Sequence, residues 1–365
     1  MTVEYRKSID PMAPYVPGRP IEDVQREFDL ERVVKLASNE NPLGCSPKAR
    51  EAVIDSLDQS NYYPDGNCTR LRERLSETLG VKQGEIVFGA GADEVLAMIG
   101  KVFINPGDEC VTASVTFSQY EASAVSMGGV MVFAPMKNNA YDLDAIYERI
   151  TEKTKIIFLA NPNNPTGTMF TAAEQESFLA KIPSRVLIVI DEAYAEFADD
   201  PSYPETLPLL KKYKNIILIK TFSKIYGLAS LRVGYGIADE EIIQLFEKIR
   251  PPFNVTIQGQ AAALAALDDQ DFVRESFENN RAGMEYFCRE LDAVGLPYIP
   301  SQANFVTVDV KRDSREVFHE LMKRGYIVRT GYVFGLDISW IRVTIGTLEQ
   351  MRGFVGTLKE VLSEQ

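Results

Sequence analysis

The chain has one histidine in 365 residues, His319. Serine–histidine–aspartate and cysteine–histidine catalysis would both have to pass through it, and a histidine-built metal site is excluded. His319 sits in the amphipathic stretch 313–322, the pattern of a helix that places it on the surface or against a neighbour. Acid–base work therefore falls to lysine, tyrosine or a cofactor. Cysteine is also scarce: Cys45, Cys68, Cys110 and Cys288 form no C-x-x-C pair. That predicts reduced thiols in the cytoplasm, with neither a disulfide frame nor a zinc site, and no metal is expected. No apolar run reaches the length that spans a bilayer, so no membrane partner is expected. The first residues, Met1 to Lys7, carry charge with no apolar stretch behind them and do not read as a signal peptide. Positive charge is in deficit: a net charge of −13 speaks against a nucleic-acid partner, because neutralising phosphates needs a basic surface. Small anions remain open, since they answer to local charge.

What is present is an ordinary globular composition, 45% hydrophobic and 25% charged. The length suggests one large and one smaller domain. A proline-rich arm over residues 1–30 (Pro11, Pro14, Pro17, Pro20) leads into a short helix and is expected to pack on the small domain. Seven apolar runs, beginning at Ile86, Glu109, Val130, Lys155, Val186, Ile216 and Val233, alternate with helical patterns such as 93–103 and 171–180. Continuous Val/Ile/Leu runs of this kind predict an α/β large domain over 31–250, with a mainly parallel seven-stranded sheet covered by helices. Arg250-Pro251-Pro252 cannot continue a helix, which places a hinge there. Beyond it, one helical tract from Gln258 to about Val294 precedes strand-like runs at Asn304, Tyr326 and Trp340. These predict a smaller α+β domain over 251–365.

Four loops follow predicted strands, where ligands of parallel sheets gather. Gly89-Ala90-Gly91-Ala92-Asp93 opens a helix and is either a plain tight turn or a phosphate cup built on free N–H groups. The loop 160–168 has two prolines fixing an extended segment around Asn164. Asp191 ends five apolar residues, a costly place for an unpaired carboxylate, so something positive must face it. The fourth loop holds Thr221, Ser223, Lys224 and Arg232; taken alone, such a lysine is ordinarily solvated. One ligand explains all four. Pyridoxal 5'-phosphate needs a lysine for a Schiff base and a carboxylate on its ring nitrogen. Asp191 meets the second need; Gly91, Ala92, Asp93, Thr221, Ser223 and Arg232 form the cup, and Asn164 and Tyr194 reach the ring oxygen.

The ordered set N-P-x-N-P-T-G, D-E-A-Y, S-K and arginine spaces Asn164, Asp191, Lys224 and Arg232 at intervals of 27, 33 and 8 residues. It resembles the aspartate-aminotransferase superfamily, the fold type I pyridoxal-phosphate enzymes, along almost the whole chain. Within that group, residues 35–44, 62–65 and 89–94 resemble the branch that acts on histidinol phosphate. The resemblance implies that Lys224 carries the cofactor and moves the substrate proton, and that Phe117 stacks on the cofactor ring. Many relatives have tyrosine there, preceded by proline–threonine, where this chain has Val115-Thr116. It further implies that Tyr63 crosses to the phosphate of a neighbouring subunit, so that the site is complete only in a homodimer. Arg342 would grip an α-carboxylate, Arg329 a substrate phosphate, and Tyr15 and Asn39 would close over the substrate. The implied reaction moves an amino group between glutamate or 2-oxoglutarate and histidinol phosphate or imidazole-acetol phosphate. An aromatic aminotransferase and a threonine-phosphate decarboxylase on the same scaffold stay open.

Overall fold

In the computed structural model, which describes residues 3–14 and 16–364, the seven apolar runs pair into one sheet. Its strands are β1 (Ile86–Gly89), β2 (Glu109–Ala113), β3 (Val130–Ala134), β4 (Thr154–Ala160), β5 (Leu187–Asp191), β6 (Ile216–Thr221) and β7 (Gly234–Ala238). The order is β1-β7-β6-β5-β4-β2-β3. From β6 to β3 the pairing is parallel, and only β7 runs against its two neighbours. Every residue of β1, β5 and β7 is buried, whereas edge strand β3 exposes Val130 and Phe133. Helix α1 (Ala92–Phe103) buries Val95, Leu96, Met98 and Ile99, with Asp93 and Glu94 in its first turn and Lys101 in its last. That polarity suits the helix dipole. A Cβ on Gly234 would lie 2.3 Å from the Ala92 nitrogen, so a glycine in β7 is what allows the start of α1 to press against the sheet.

A second core surrounds an antiparallel sheet of β8 (Tyr298–Ile299), β9 (Phe305–Asp309), β10 (Arg329–Thr330) and β11 (Trp340–Thr344), in the order β8-β9-β11-β10. Val306, Val308, Ile341 and Val343 meet Phe287 and Phe354 there. The expected single tract from Gln258 to Val294 is two helices, α2 (Ile257–Leu267) and α3 (Gln270–Val294). The break has a tertiary cause. The Asp269 carboxylate accepts from the Ser46 hydroxyl at 2.6 Å and lies 3.5 Å from Lys48, while Asp268 is 2.7 Å from Arg74. Tertiary partners for two aspartates outweigh helix continuation. Ala262, Ala263, Ala266 and Leu267 of α2 belong to the larger core, which therefore runs past Pro251-Pro252.

The run from Tyr326 to Arg329 also divides. Tyr326–Ile327 pairs in parallel with Val34–Lys35, and Arg329–Thr330 joins β11. The Leu36 N–H donates to the Ile327 carbonyl at 2.7 Å and its carbonyl accepts from Thr344 at 2.9 Å, so the N-terminal ribbon is sewn into the C-terminal sheet. Helix Ile21–Phe28 adds Val24 against Met322 and Ile327. His319 is exposed and meets Phe28 edge-on at 5.8 Å, a packing role.

Candidate active site

A cavity of about 270 Å³ opens at the carboxyl ends of β4, β5 and β6, with the small sheet forming its far wall. Asp191 sits at its floor, 6% exposed. The Tyr120 hydroxyl donates to Oδ2 at 2.8 Å and the Ala193 N–H to Oδ1 at 3.1 Å. Both donors are neutral, and among the described residues no ion pair includes Asp191, so the positive group expected opposite it is not supplied by one of their side chains. Burial pushes the Asp191 carboxyl up to about 6, against the pull of those bonds and the weaker field of Lys224. A half-compensated carboxylate facing a cavity is a seat for a cationic ring nitrogen.

The residues on either side of this carboxylate's strand end alternate. Asp191 and Thr221 face the cavity, while Glu192 and Lys220 turn to the other side of the sheet. There Lys220 lies 3.3 Å from the buried Glu192 and 3.1 Å from the half-buried Glu196, a triad that ties the ends of β5 and β6 together. This triad was not among the residues expected at the site. Alternation past the strand ends was the available signal.

At the start of α1, Gly91 has φ +80°, and a Cβ there would lie 2.4 Å from the Arg232 guanidinium. The bare backbone thus leaves a hollow beside Arg232. Thr221 and Ser223 close the opposite side, joined hydroxyl to hydroxyl at 3.0 Å, and the Ser223 N–H donates to Thr221 Oγ1 at 3.1 Å. Arg232 is 3.1 Å from the Asp93 carboxylate. Asp93 therefore contributes a charge that orients the arginine as well as its place in the first helical turn.

Lys224 is half-buried, its Nζ 3.3 Å from the Ser38 carbonyl and 5.4 Å from the Tyr194 ring centre. The Tyr194 hydroxyl accepts from Asn39 Nδ2 at 2.9 Å. Asn39 is 1% exposed, and Thr344 and Asn304 bond its backbone and side chain. It is a fixed strut between the two sheets, so the closing motion expected of it has no free side chain to perform it. Phe117 lines the cavity, edge-on to Tyr120. The 160–168 loop, expected as an extended segment, is buried from Asn161 to Gly167. Asn163 bonds Thr116, Val115 and Thr166, which satisfies polar groups that burial would otherwise strand.

Arg342 is 5% exposed and donates to Asn164 Oδ1 and to the Ala37 carbonyl. Asn164 is thus drawn toward the arginine as well as toward the cavity. Arg329 and Arg342 are direct partners in the β10–β11 ladder. Their guanidinium carbons lie 5.9 and 4.8 Å from the Phe334 ring centre, and Arg329 donates to the Val16 carbonyl. Both line the same cavity as Lys224. Tyr63 does not: it is 82% exposed and stacks on Phe253 at 4.8 Å. Tyr15 lies outside the described residues. Tyr120, Ser38 and Phe334 line the cavity without having been expected there. For Tyr120 the sequence held an indirect signal, since a carboxylate at the end of five apolar residues is costly to bury unpaired.

A family model described as aminotransferase class I and II matches residues 31–358. The curated histidinol-phosphate aminotransferase of Caldicellulosiruptor saccharolyticus is 47% identical over 358 residues, 98% of this chain and 100% of its own length. That of Brevibacillus brevis is 49% identical over 349 residues, 96% of each chain. Among solved structures, histidinol-phosphate aminotransferase from Sinorhizobium meliloti in complex with pyridoxal-5'-phosphate matches with a TM-score of 0.90 at 28% identity, over 99% of this chain and 98% of that one. Thermus thermophilus aspartate aminotransferase with maleate shares the fold, with a TM-score of 0.84 at 21% identity over 99% and 100% of the two chains.

Proposed function

The chain belongs to the class I and II aminotransferases, and on that premise we propose that it is a pyridoxal-phosphate enzyme of histidine biosynthesis. It moves an amino group between glutamate or 2-oxoglutarate and histidinol phosphate or imidazole-acetol phosphate. The observation that carries this reading is the convergence of Lys224, Asp191 and the Arg329–Arg342 pair on one cavity.

The residues present fit the cofactor. Asp191 is a buried carboxylate held by neutral donors only, and the hollow at Gly91 is one a single methyl group would fill. When bound, the cofactor supplies an electrophilic carbonyl and a ring able to take up an electron pair from the substrate. Lys224 would hold the carbonyl end and, once displaced by the incoming amine, take the proton from the substrate Cα. Asp191 would hold the proton on the ring nitrogen, Phe117 would cover the ring face, and Asn164 and Tyr194 would bind its oxygen. The backbone of Gly91, Ala92 and Asp93, with Thr221, Ser223 and Arg232, would take the phosphate. Replacing Gly91 by alanine puts a Cβ into the guanidinium at a positive φ. Affinity for pyridoxal phosphate should fall about tenfold or more, read by titrating the apo protein.

Two guanidinium groups side by side match a phosphate dianion better than a single carboxylate, which one planar fork satisfies. Arg329→Ala should therefore lower kcat/KM for histidinol phosphate by roughly 100-fold. The rate with phenylalanine, which has no phosphate, should stay within about threefold. Steady-state kinetics with both amines tests this. An equal loss on both would reject the phosphate assignment in favour of an aromatic aminotransferase, and carbon dioxide release without 2-oxoglutarate would point to a decarboxylase.

The same reading makes the enzyme a homodimer, with Tyr63 entering the neighbouring site. Supporting it, Tyr63 stands exposed outside its own cavity, and Ile54, Leu57 and Tyr62, which precede it in the chain, are exposed as well. We place the division between large and small domains at the Asp268-Asp269 break, where the larger core ends. The arm 1–30 goes with the small domain through Val24. Four free thiols fit the cytoplasm.

A further inference from the structure

Asp191 depends on a residue to which the reaction assigns nothing. Tyr120 lies on the helix Gln119–Val125 and is 1% exposed. Its ring stacks on Phe158 at 5.1 Å and 5°, and meets Phe117 edge-on at 5.7 Å and 85°. Held by both neighbours, the phenol has one direction in which to point, and its hydroxyl reaches Asp191 Oδ2 at 2.8 Å. We infer that Tyr120 is a positioning residue: it keeps Asp191 ionised and aimed at the ring nitrogen, and through Phe117 it fixes the wall on which the ring lies. The inference rests on the cofactor reading given above.

Asp93 approaches from the first turn of α1 and opposes the charge of Asp191, while Lys224, on the loop after β6, favours it. Tyr141 and Tyr194 act on the Tyr120 phenol through their charge, each more weakly than burial or the charge of Asp191. Among the described residues, Tyr120 is the one side chain that hydrogen-bonds the carboxylate. Burial, reinforced by the neighbouring carboxylate, keeps the Tyr120 hydroxyl protonated well above the ordinary tyrosine range. It is therefore a donor at every working pH. A fixed donor favours the ionised carboxylate over the protonated one, because only the former accepts at full strength.

The test is the affinity of the apo chain for pyridoxal phosphate between pH 5.5 and 9. Tyr120→Phe keeps the stacked ring and removes only the hydroxyl. Its acid-side midpoint, where affinity is half lost, should rise by about one pH unit, with affinity at pH 8.5 within about threefold of the parent. A loss by the same factor at every pH, or an unmoved midpoint, would overturn the inference. Phe158→Leu, which disturbs the stack but leaves the hydroxyl, should lower the melting temperature without moving the midpoint; an equal shift would assign the effect to packing. Should Tyr120→Phe fail to fold, site-specific 3-fluorotyrosine at position 120 decides the matter. As a stronger donor it should move the midpoint down, and an unchanged curve overturns the inference. A parent chain without affinity for pyridoxal phosphate overturns the cofactor reading, and this inference with it.

Discussion

Lys224→Ala is expected to abolish the visible absorption of bound pyridoxal phosphate and to cut turnover by about 10⁴-fold. The magnitude follows from what else lines the cavity. Among the described residues lining it, Lys224 is the one primary amine, and the chain's single histidine lies on a distant surface helix. The Tyr194 ring is 5.4 Å from Nζ, but a phenol cannot form a Schiff base. No neighbouring group can therefore stand in for the lysine. The cofactor should still bind through Asp191 and the cup, so the apo variant should quench pyridoxal phosphate fluorescence while lacking the shifted band. Absorbance and steady-state rate on one preparation check this. A variant that keeps the band and a hundredth of the activity would remove Lys224 from the mechanism.

Asp191→Asn should lower turnover by roughly 10³-fold, because the ring nitrogen loses the charge that holds its proton. The same change should stabilise the apo protein. In the unfolded chain this carboxyl titrates near the ordinary value of about 3.9, and in the fold near 6. The folded state binds the proton more tightly, so the group favours folding below pH 4. That contribution is lost as the pH rises through 6. At pH 7.5 the ionised carboxylate is a deficit of up to about 3 kcal/mol, which an uncharged amide does not carry. The amide forfeits part of one hydrogen bond, leaving an expected rise of a few degrees in melting temperature at pH 7.5 and none at pH 4. Differential scanning at both pH values tests the sign. A variant destabilised equally at both would show that Asp191 is structural.

Much of this was legible in the residues. Seven apolar runs marked the sheet because buried parallel strands need no polar face, and order along the chain brought Asn164, Asp191 and Lys224 to adjacent strand ends. What escaped was set by tertiary contact. Asp268 and Asp269 lie in a helical pattern and break it only because Ser46, Lys48 and Arg74 arrive from elsewhere. Nothing local in Tyr326 to Arg329 says that its two halves pair with different sheets. Tyr120 stands in an unremarkable helix, and only its contact with Asp191 gives it a role. The arginine pair was half visible: each stood at a strand-like run, but the register that sets Arg329 beside Arg342 is a property of the folded ladder.

The seam between the N-terminal ribbon and the last strand has a consequence for synthesis. Arg342 donates to the Ala37 carbonyl across 305 positions of chain. On a ribosome adding 5–20 residues per second, residues 34–39 would wait roughly 15 to 60 s for the strand that receives them. During that interval the large sheet, closed by β7, can form, while Ser38, Asn39 and both substrate arginines remain unplaced. A nascent chain stalled before Trp340 should thus own a cofactor floor without a substrate wall, and the ribbon is the segment a chaperone would find exposed.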